Sequence, residues 1–122
     1  MTKTTGEQWK TITHYKDFVF TGRYEISSWG HIRNRETKAP LATYSNQRGQ
    51  GYLKTKIIDT KGTRRALYIH RLVALYFLDA PDEEGLEINH IDGDSRNNSY
   101  TNLEWISHAQ NMKEYIRLRS AS

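Results

Sequence analysis

His90 stands next to Asn89 in the stretch from residue 87 to residue 112, which also carries Asn102 and Asn111. An imidazole titrates near pH 6.5 when unperturbed, so His90 can take a proton from water close to neutrality. The amides offer oxygen atoms that carry no charge. One imidazole and two such oxygens brought together would make a site, and the flanking residues show how they could be brought together.

Leu86, Ile88 and Ile91 surround Asn89 and His90, so the polar pair belongs near the end of a short strand. Asp92-Gly93-Asp94 and then Asn97-Asn98-Ser99 are residues that bond their own backbone or accept left-handed angles, and they fold the chain into a compact loop. Leu103-Glu104-Trp105-Ile106 reads as a return strand. Ser107 followed by Gln110 matches a capping box. Ala109, Met112, Tyr115 and Ile116 recur at helical spacing, which predicts a helix over about 108–119. Asn111 falls in its first turn, facing back toward the strand of Asn89 and His90. The order is strand, loop, strand, helix.

This order, Asn89-His90, Asn102 at the far end of an Ile-Asp-Gly-Asp and Asn-Asn loop, and Asn111 on the helix, resembles the HNH nucleases of the phage and intron homing-endonuclease type. The resemblance implies an α+β chain, a small antiparallel β region followed by a ββα-metal (HNH, His-Me finger) core, acting as a DNA endonuclease. It implies His90 as the general base that activates water against a DNA phosphate. Asn89 and Asn111 would be oxygen ligands to one divalent ion, and Asn102 a brace for the loop that aims His90. Many family members have Asp or His at the position of Asn89, and an uncharged amide holds an ion less tightly. Phosphodiester hydrolysis needs a base near neutrality and positive charge near the leaving oxygen. Hard oxygen ligands suit Mg2+ or Mn2+ better than zinc.

Earlier in the chain, residues 1–7 read as a disordered tail. Trp9-Lys-Thr-Ile12, Tyr24-Glu-Ile-Ser27 and Gly30-His-Ile-Arg33 resemble a small module often found ahead of HNH domains in phage and intron endonucleases. Tyr24, Ile26 and Ile32 alternate around Trp29-Gly30, predicting two short strands with a turn or bulge at Gly30. Residues 8–66 are thus expected to be a DNA-contacting β module and 67–122 the nuclease core, folded as one compact domain. Asn46 to Gly51 marks a loop in which Arg48 could approach a DNA backbone. Tyr52–Ile58 and Arg64–His70 read as a hairpin turning at Asp59-Thr60-Lys61-Gly62, from which Lys54, Lys56, Arg64 and Arg65 would project toward DNA. Residues 70–78 read as a short buried helix ending before Pro81, with His70 a structural residue whose ring is satisfied. His108 is expected to face solvent, and 79–85 to be a solvated linker.

The chain has 122 residues, a net charge of +4 and no cysteine, which excludes disulfides and thiolate zinc sites. Residues 1–71 hold 14 Lys or Arg against 5 Asp or Glu, and residues 72–122 hold 4 against 9. The front half reads as a phosphate-gripping surface and the back half as an active centre that tolerates metal. A mean hydropathy of −0.83 predicts a thin core, and 8 Tyr and 3 Trp are expected to do much of its packing. Neither a signal-peptide pattern nor a membrane-length apolar run is read in these residues, so an intracellular protein with DNA as partner and no membrane contact is expected, in the bacterial cytoplasm if phage-encoded. Two other functions compete: a DNA-binding module of the same fold whose catalysis has lapsed, and a zinc-stabilised interaction domain.

Overall fold

The computed structural model describes residues 6–45, 51–79 and 85–121. Arg48 and the Asn46–Gln50 part of its loop, most of the expected 79–85 linker and residues 1–5 of the expected tail lie outside them. Glu7, at the end of that expected tail, meets the His31 ring.

Three strands form the first antiparallel sheet in the order β1 (Trp9–Thr11), β4 (Tyr24–Ser27), β5 (Ile32–Asn34). Between β1 and β4, the two-residue strands β2 (His14–Tyr15) and β3 (Phe18–Val19) pair with each other. The expected turn lies between β4 and β5. There the Ser27 hydroxyl accepts from the Trp29 and His31 amides at 3.2 and 3.0 Å, and the Gly30 amide donates to the Ser27 carbonyl at 3.0 Å. All four β4 residues are buried, Glu25 included. Burial works to raise the Glu25 pKa, but hydrogen bonds from Arg33 at 2.6 Å and Lys38 at 3.3 Å outweigh it and hold the carboxyl below its usual range.

The second sheet runs β6 (Tyr44–Ser45), β7 (Leu53–Ile58), β8 (Arg64–Tyr68). Asp59 closes the β7–β8 turn by accepting from the Lys61 and Thr63 amides, both at 2.9 Å, which is why the Asp-Thr-Lys-Gly spelling turns here. β8 stops at Tyr68, two residues short of the expected strand, because α1 (Ile69–Phe77) has begun.

One apolar cluster joins Ile12, Ile26, Ile57, Ile69, Leu72 and Val73, each fully buried, with Leu103 nearly so. It draws on β4, β7, α1 and the second half of the chain together. Each such side chain contributes roughly 1.5–3 kcal/mol by leaving water. Aromatic residues share in this packing, Phe20 and Tyr24 within the cluster and Tyr15, Phe18, Tyr76 and Phe77 against it, whereas Trp29 is 47% exposed and Trp9 carries Arg33 at 3.6 Å. α1 is amphipathic, with Leu75 exposed. At its far end the Tyr76 hydroxyl accepts from the Thr13 and His14 amides and donates to the His14 carbonyl, locking the β1–β2 connection to the helix.

β9 (Leu86–His90) and β10 (Leu103–Ser107) then pair antiparallel, with His90 opposite Leu103 and Asn89 opposite Glu104. α2 (His108–Ala121) follows directly. The capping box forms as read: the Gln110 amide donates to the Ser107 hydroxyl at 3.1 Å and the Ser107 amide to the Gln110 side chain at 3.3 Å. Met112 and Ile116 of α2 are 45% and 58% exposed, so the apolar spacing that marks this helix does not bury these two residues. No helix among the described residues is long and apolar enough to cross a membrane.

Candidate active site

Strand alternation sends Glu87 and Asn89 to one side of β9 and Ile88 and His90 to the other. His90 is buried at the strand's end, where the chain enters a twelve-residue connection. Asn102 closes that connection. Its side-chain oxygen accepts from the Asp92 amide at 3.0 Å, and its NH2 donates to the Asp92 carboxylate and the Asn97 carbonyl, both at 2.9 Å. The Ile91 amide donates to the Asn102 carbonyl at 2.8 Å. Asn97 donates to the other Asp92 oxygen at 2.8 Å, and this bond leads the contacts that hold the Asp92 carboxyl below its usual pKa. Asn102 thus ties both ends of the Asp92–Asn97 segment together.

The His90 ring has three neighbours that sequence reasoning did not supply. Tyr52 stacks on it, centroids 5.7 Å apart and planes at 21°. His70 lies edge-on at 5.2 Å. Asn98, 3% exposed, places its side-chain oxygen 2.8 Å from His90 Nε2. Burial first, then the His90 and Arg71 charges, lowers the His70 pKa to about 3, so His70 is neutral at working pH. Its ring is buried but not satisfied, for Nδ1 has no hydrogen-bond partner among the described residues.

Asn111 does face back toward β9, but its NH2 donates to Glu87 at 2.8 Å. Asn89 donates to Glu104, opposite it across the hairpin, at 2.9 Å. An ionised carboxylate only accepts, so these contacts fix which end of each amide is nitrogen and leave the side-chain oxygens of Asn89 and Asn111 as acceptors. Glu87 also takes His108 Nδ1 at 2.7 Å, and the Asn111 and His108 bonds, in that order, keep its pKa low. His108 is therefore exposed yet engaged. Neither glutamate stands out in the sequence as a site residue. Period-2 alternation places Glu87 beside Asn89, whereas Glu104 follows only from the strand register. Among the described residues, no group of three or more His, Cys, Asp or Glu side chains is placed to hold a metal. An open cavity of about 560 Å³ adjoins this side, lined in part by Tyr52, Tyr68, His70, Arg71, Glu87 and Asn111.

The hairpin cations divide. Lys54, Lys56 and Arg64 share one face of the β7–β8 ribbon, Lys54 lying 4.7 Å from the Tyr68 ring and Lys56 5.6 Å from that of Tyr44. Arg65 does not project with them. It sits opposite buried Ile57, donates to Asp59 at 2.9 Å and covers the Phe18 ring at 4.1 Å. Strand alternation is the reason, since neighbouring residues cannot share a face.

Residues 67–113 match the HNH endonuclease family model and residues 7–66 the NUMOD4 motif model. The chain thus carries an HNH endonuclease domain preceded by a NUMOD4 motif. It is 30% identical over 109 residues to the DNA endonuclease I-HmuI of Bacillus phage SP01, covering 89% of this chain and 58% of that one. An uncharacterized HNH endonuclease of Acanthamoeba polyphaga mimivirus is 37% identical over 97 residues, 77% of this chain and 23% of the relative. The solved structure of I-HmuI, described as DNA binding and cleavage by an HNH homing endonuclease, superimposes with a TM-score of 0.74 at 29% identity, over 90% of this chain and 58% of that one. The mixed, strand-rich architecture with its ββα unit is the fold of that relative. This HNH chain spans under two thirds of the length of these relatives.

Proposed function

We propose that the protein is a DNA endonuclease that hydrolyses a phosphodiester bond with His90 as general base. One observation carries this reading: a single ββα unit places His90 at a strand end, ties the loop behind it through Asn102, and returns Asn111 to the same strand. His90 takes the proton of a water whose oxygen adds to phosphorus as the bond to the leaving sugar oxygen breaks. Asn102 keeps the loop from moving the imidazole. Residues 67–122 are the nuclease core in this reading, and residues 8–66 the DNA-contacting module, gripping phosphates through Lys54, Lys56 and Arg64 inside the host cell. DNA as the substrate is supported by the likeness to I-HmuI.

HNH nucleases generally use a divalent ion, and the donors here suit one. Glu104 and Glu87 hold the NH2 groups of Asn89 and Asn111, which presents two neutral, polarised oxygens. Such oxygens fit Mg2+ or Mn2+. When bound, the ion supplies Lewis-acid stabilisation of charge on the phosphate and the leaving oxygen.

The uncharged Asn89 favours a second reading, a DNA-binding protein of this fold with lapsed catalysis. Supercoiled plasmid incubated with Mg2+ or Mn2+, against a chelated control, separates the two. Nicked or linear product only with metal is expected. Plasmid that is bound but uncut over a range of metal concentrations would overturn the nuclease reading in favour of the second.

A further inference from the structure

We propose that Asn98 is a positioning residue for the His90 ring, and that the β4–β5 turn of the N-terminal module holds Asn98 in place, so that the module builds part of the cleavage site as well as contacting DNA. This rests on the reading of His90 as the base.

The first observation is the contact itself. Asn98 is buried, and its side-chain oxygen lies 2.8 Å from His90 Nε2. A carbonyl oxygen only accepts, so Nε2 carries the hydrogen, and a neutral imidazole then leaves its lone pair on Nδ1. Asn98 thereby sets both the direction of the ring and which nitrogen can take a proton. Its own NH2 is buried and has no hydrogen-bond partner among the described residues, so no second hydrogen bond there orients the amide. Its placement must come from its backbone.

The second observation shows what fixes that backbone. Gly30 packs directly on Asn98: a Cβ at position 30 would lie 2.7 Å from the Asn98 Cβ and 3.2 Å from its carbonyl oxygen. Gly30 also has a φ of +90°, so glycine is required there for both space and conformation. Two residues beyond Asn98, the Tyr100 amide donates to the Ser28 carbonyl at 2.8 Å. The β4–β5 turn, itself tied by Ser27, therefore grips the loop at both points. A short amide whose base shifts by about 1 Å misdirects the ring it holds, and misplacement of that size costs about a hundredfold in rate.

Nitrogen-15 NMR of the His90 ring in the whole chain, with the imidazole neutral, reads the tautomer. Hydrogen on Nε2 is expected, with loss of that preference in Asn98→Leu; hydrogen on Nδ1 would overturn the proposal. Single-turnover plasmid cleavage and DNA affinity are then measured on four variants. Asn98→Leu should cut about 10²-fold more slowly with unchanged DNA affinity. Asn98→Asp, which keeps an acceptor oxygen, should recover most of that loss. Gly30→Ala should reproduce the slow, tight-binding behaviour, and wild-type cleavage by Gly30→Ala would remove the module from the site. If Gly30→Ala fails to fold, the same readout is taken from Tyr100→Pro, which removes the amide that donates to the Ser28 carbonyl at the first position of a helical turn, where proline is tolerated. His90→Ala is the control. If it is inactive while Asn98→Leu cuts at the wild-type rate, the role of Asn98 is wrong and the base reading stands; if His90→Ala itself cuts normally, the base reading is what fails.

Discussion

The β7–β8 and β9–β10 hairpins are both antiparallel pairs with strands of five or six residues, yet their connections differ in kind. In the first, one carboxylate, Asp59, closes a short turn by accepting two backbone amides and Arg65. The outward side chains are left to carry Lys54, Lys56 and Arg64. In the second, a twelve-residue connection is filled with interlocked amides and carboxylates, Asp92, Asn97 and Asn102, and its strands carry Glu87, Asn89, His90 and Glu104. A short turn frees its strands to present charge to a partner. A long, braced one holds a single imidazole still. In the function proposed above, gripping DNA and cutting it fall to different hairpins, and they should respond separately to mutation.

The largest expected effect is at His90. His90→Ala should lower the cleavage rate by about 10²–10⁴-fold, the usual contribution of a general base, while gel-shift affinity for DNA stays within a few-fold. Matching losses of binding and cutting would erase the distinction between the hairpins.

Next comes the brace. Asn102→Ala removes the buried side chain that ties the Asp92 amide and carboxylate to the Asn97 carbonyl, and each such hydrogen bond contributes about 0.5–1.5 kcal/mol. Melting temperature and cleavage should fall together. Asn111→Ala should spare the melting temperature and raise the Mg2+ or Mn2+ concentration needed for half-maximal cleavage, so equal metal dependence in the two variants would show that the roles are misassigned.

On the basic hairpin, Lys54→Ala, Lys56→Ala and Arg64→Ala should each weaken DNA binding regardless of sequence, and flatten the slope of log affinity against log salt by about 0.9. Arg65→Ala should leave that slope alone and lower the melting temperature instead, because its partners are Asp59 and Phe18. A salt slope that responds to Arg65 as strongly as to Arg64 would return it to the DNA face.

A further effect concerns acid. His70 has a folded pKa of about 3 against an ordinary value near 6.5. Below about pH 6.5 the unfolded chain binds a proton that the folded chain refuses, so this contribution to stability is complete above that pH and is lost progressively toward pH 3. Melting curves from pH 7 to pH 4 should therefore fall more steeply for the wild type than for His70→Phe; parallel curves would place His70 in a wetter site.

Much of the site was legible because its signals are local. Ser107 and Gln110 cap α2 three residues apart, Asp59 turns a hairpin within four residues, and Asn89-His90, Asn102 and Asn111 fall in one run of chain that folds on itself. The amino-acid order alone therefore determined the strand, loop, strand, helix sequence and the candidate base. Tertiary structure decided the rest. Only the β9–β10 register sets Glu104 against Asn89, and only folding brings Gly30 onto Asn98, or Tyr52 and His70 onto the His90 ring. The exposure of Met112 and Ile116, and the inward turn of Arg65, were equally out of reach. Caps, turns and periodicity are energies of a few neighbouring residues and can be read along the chain. Register and packing between elements are set by the one arrangement that buries Ile12, Ile26, Ile57, Ile69, Leu72 and Val73 together, and no short stretch contains that arrangement.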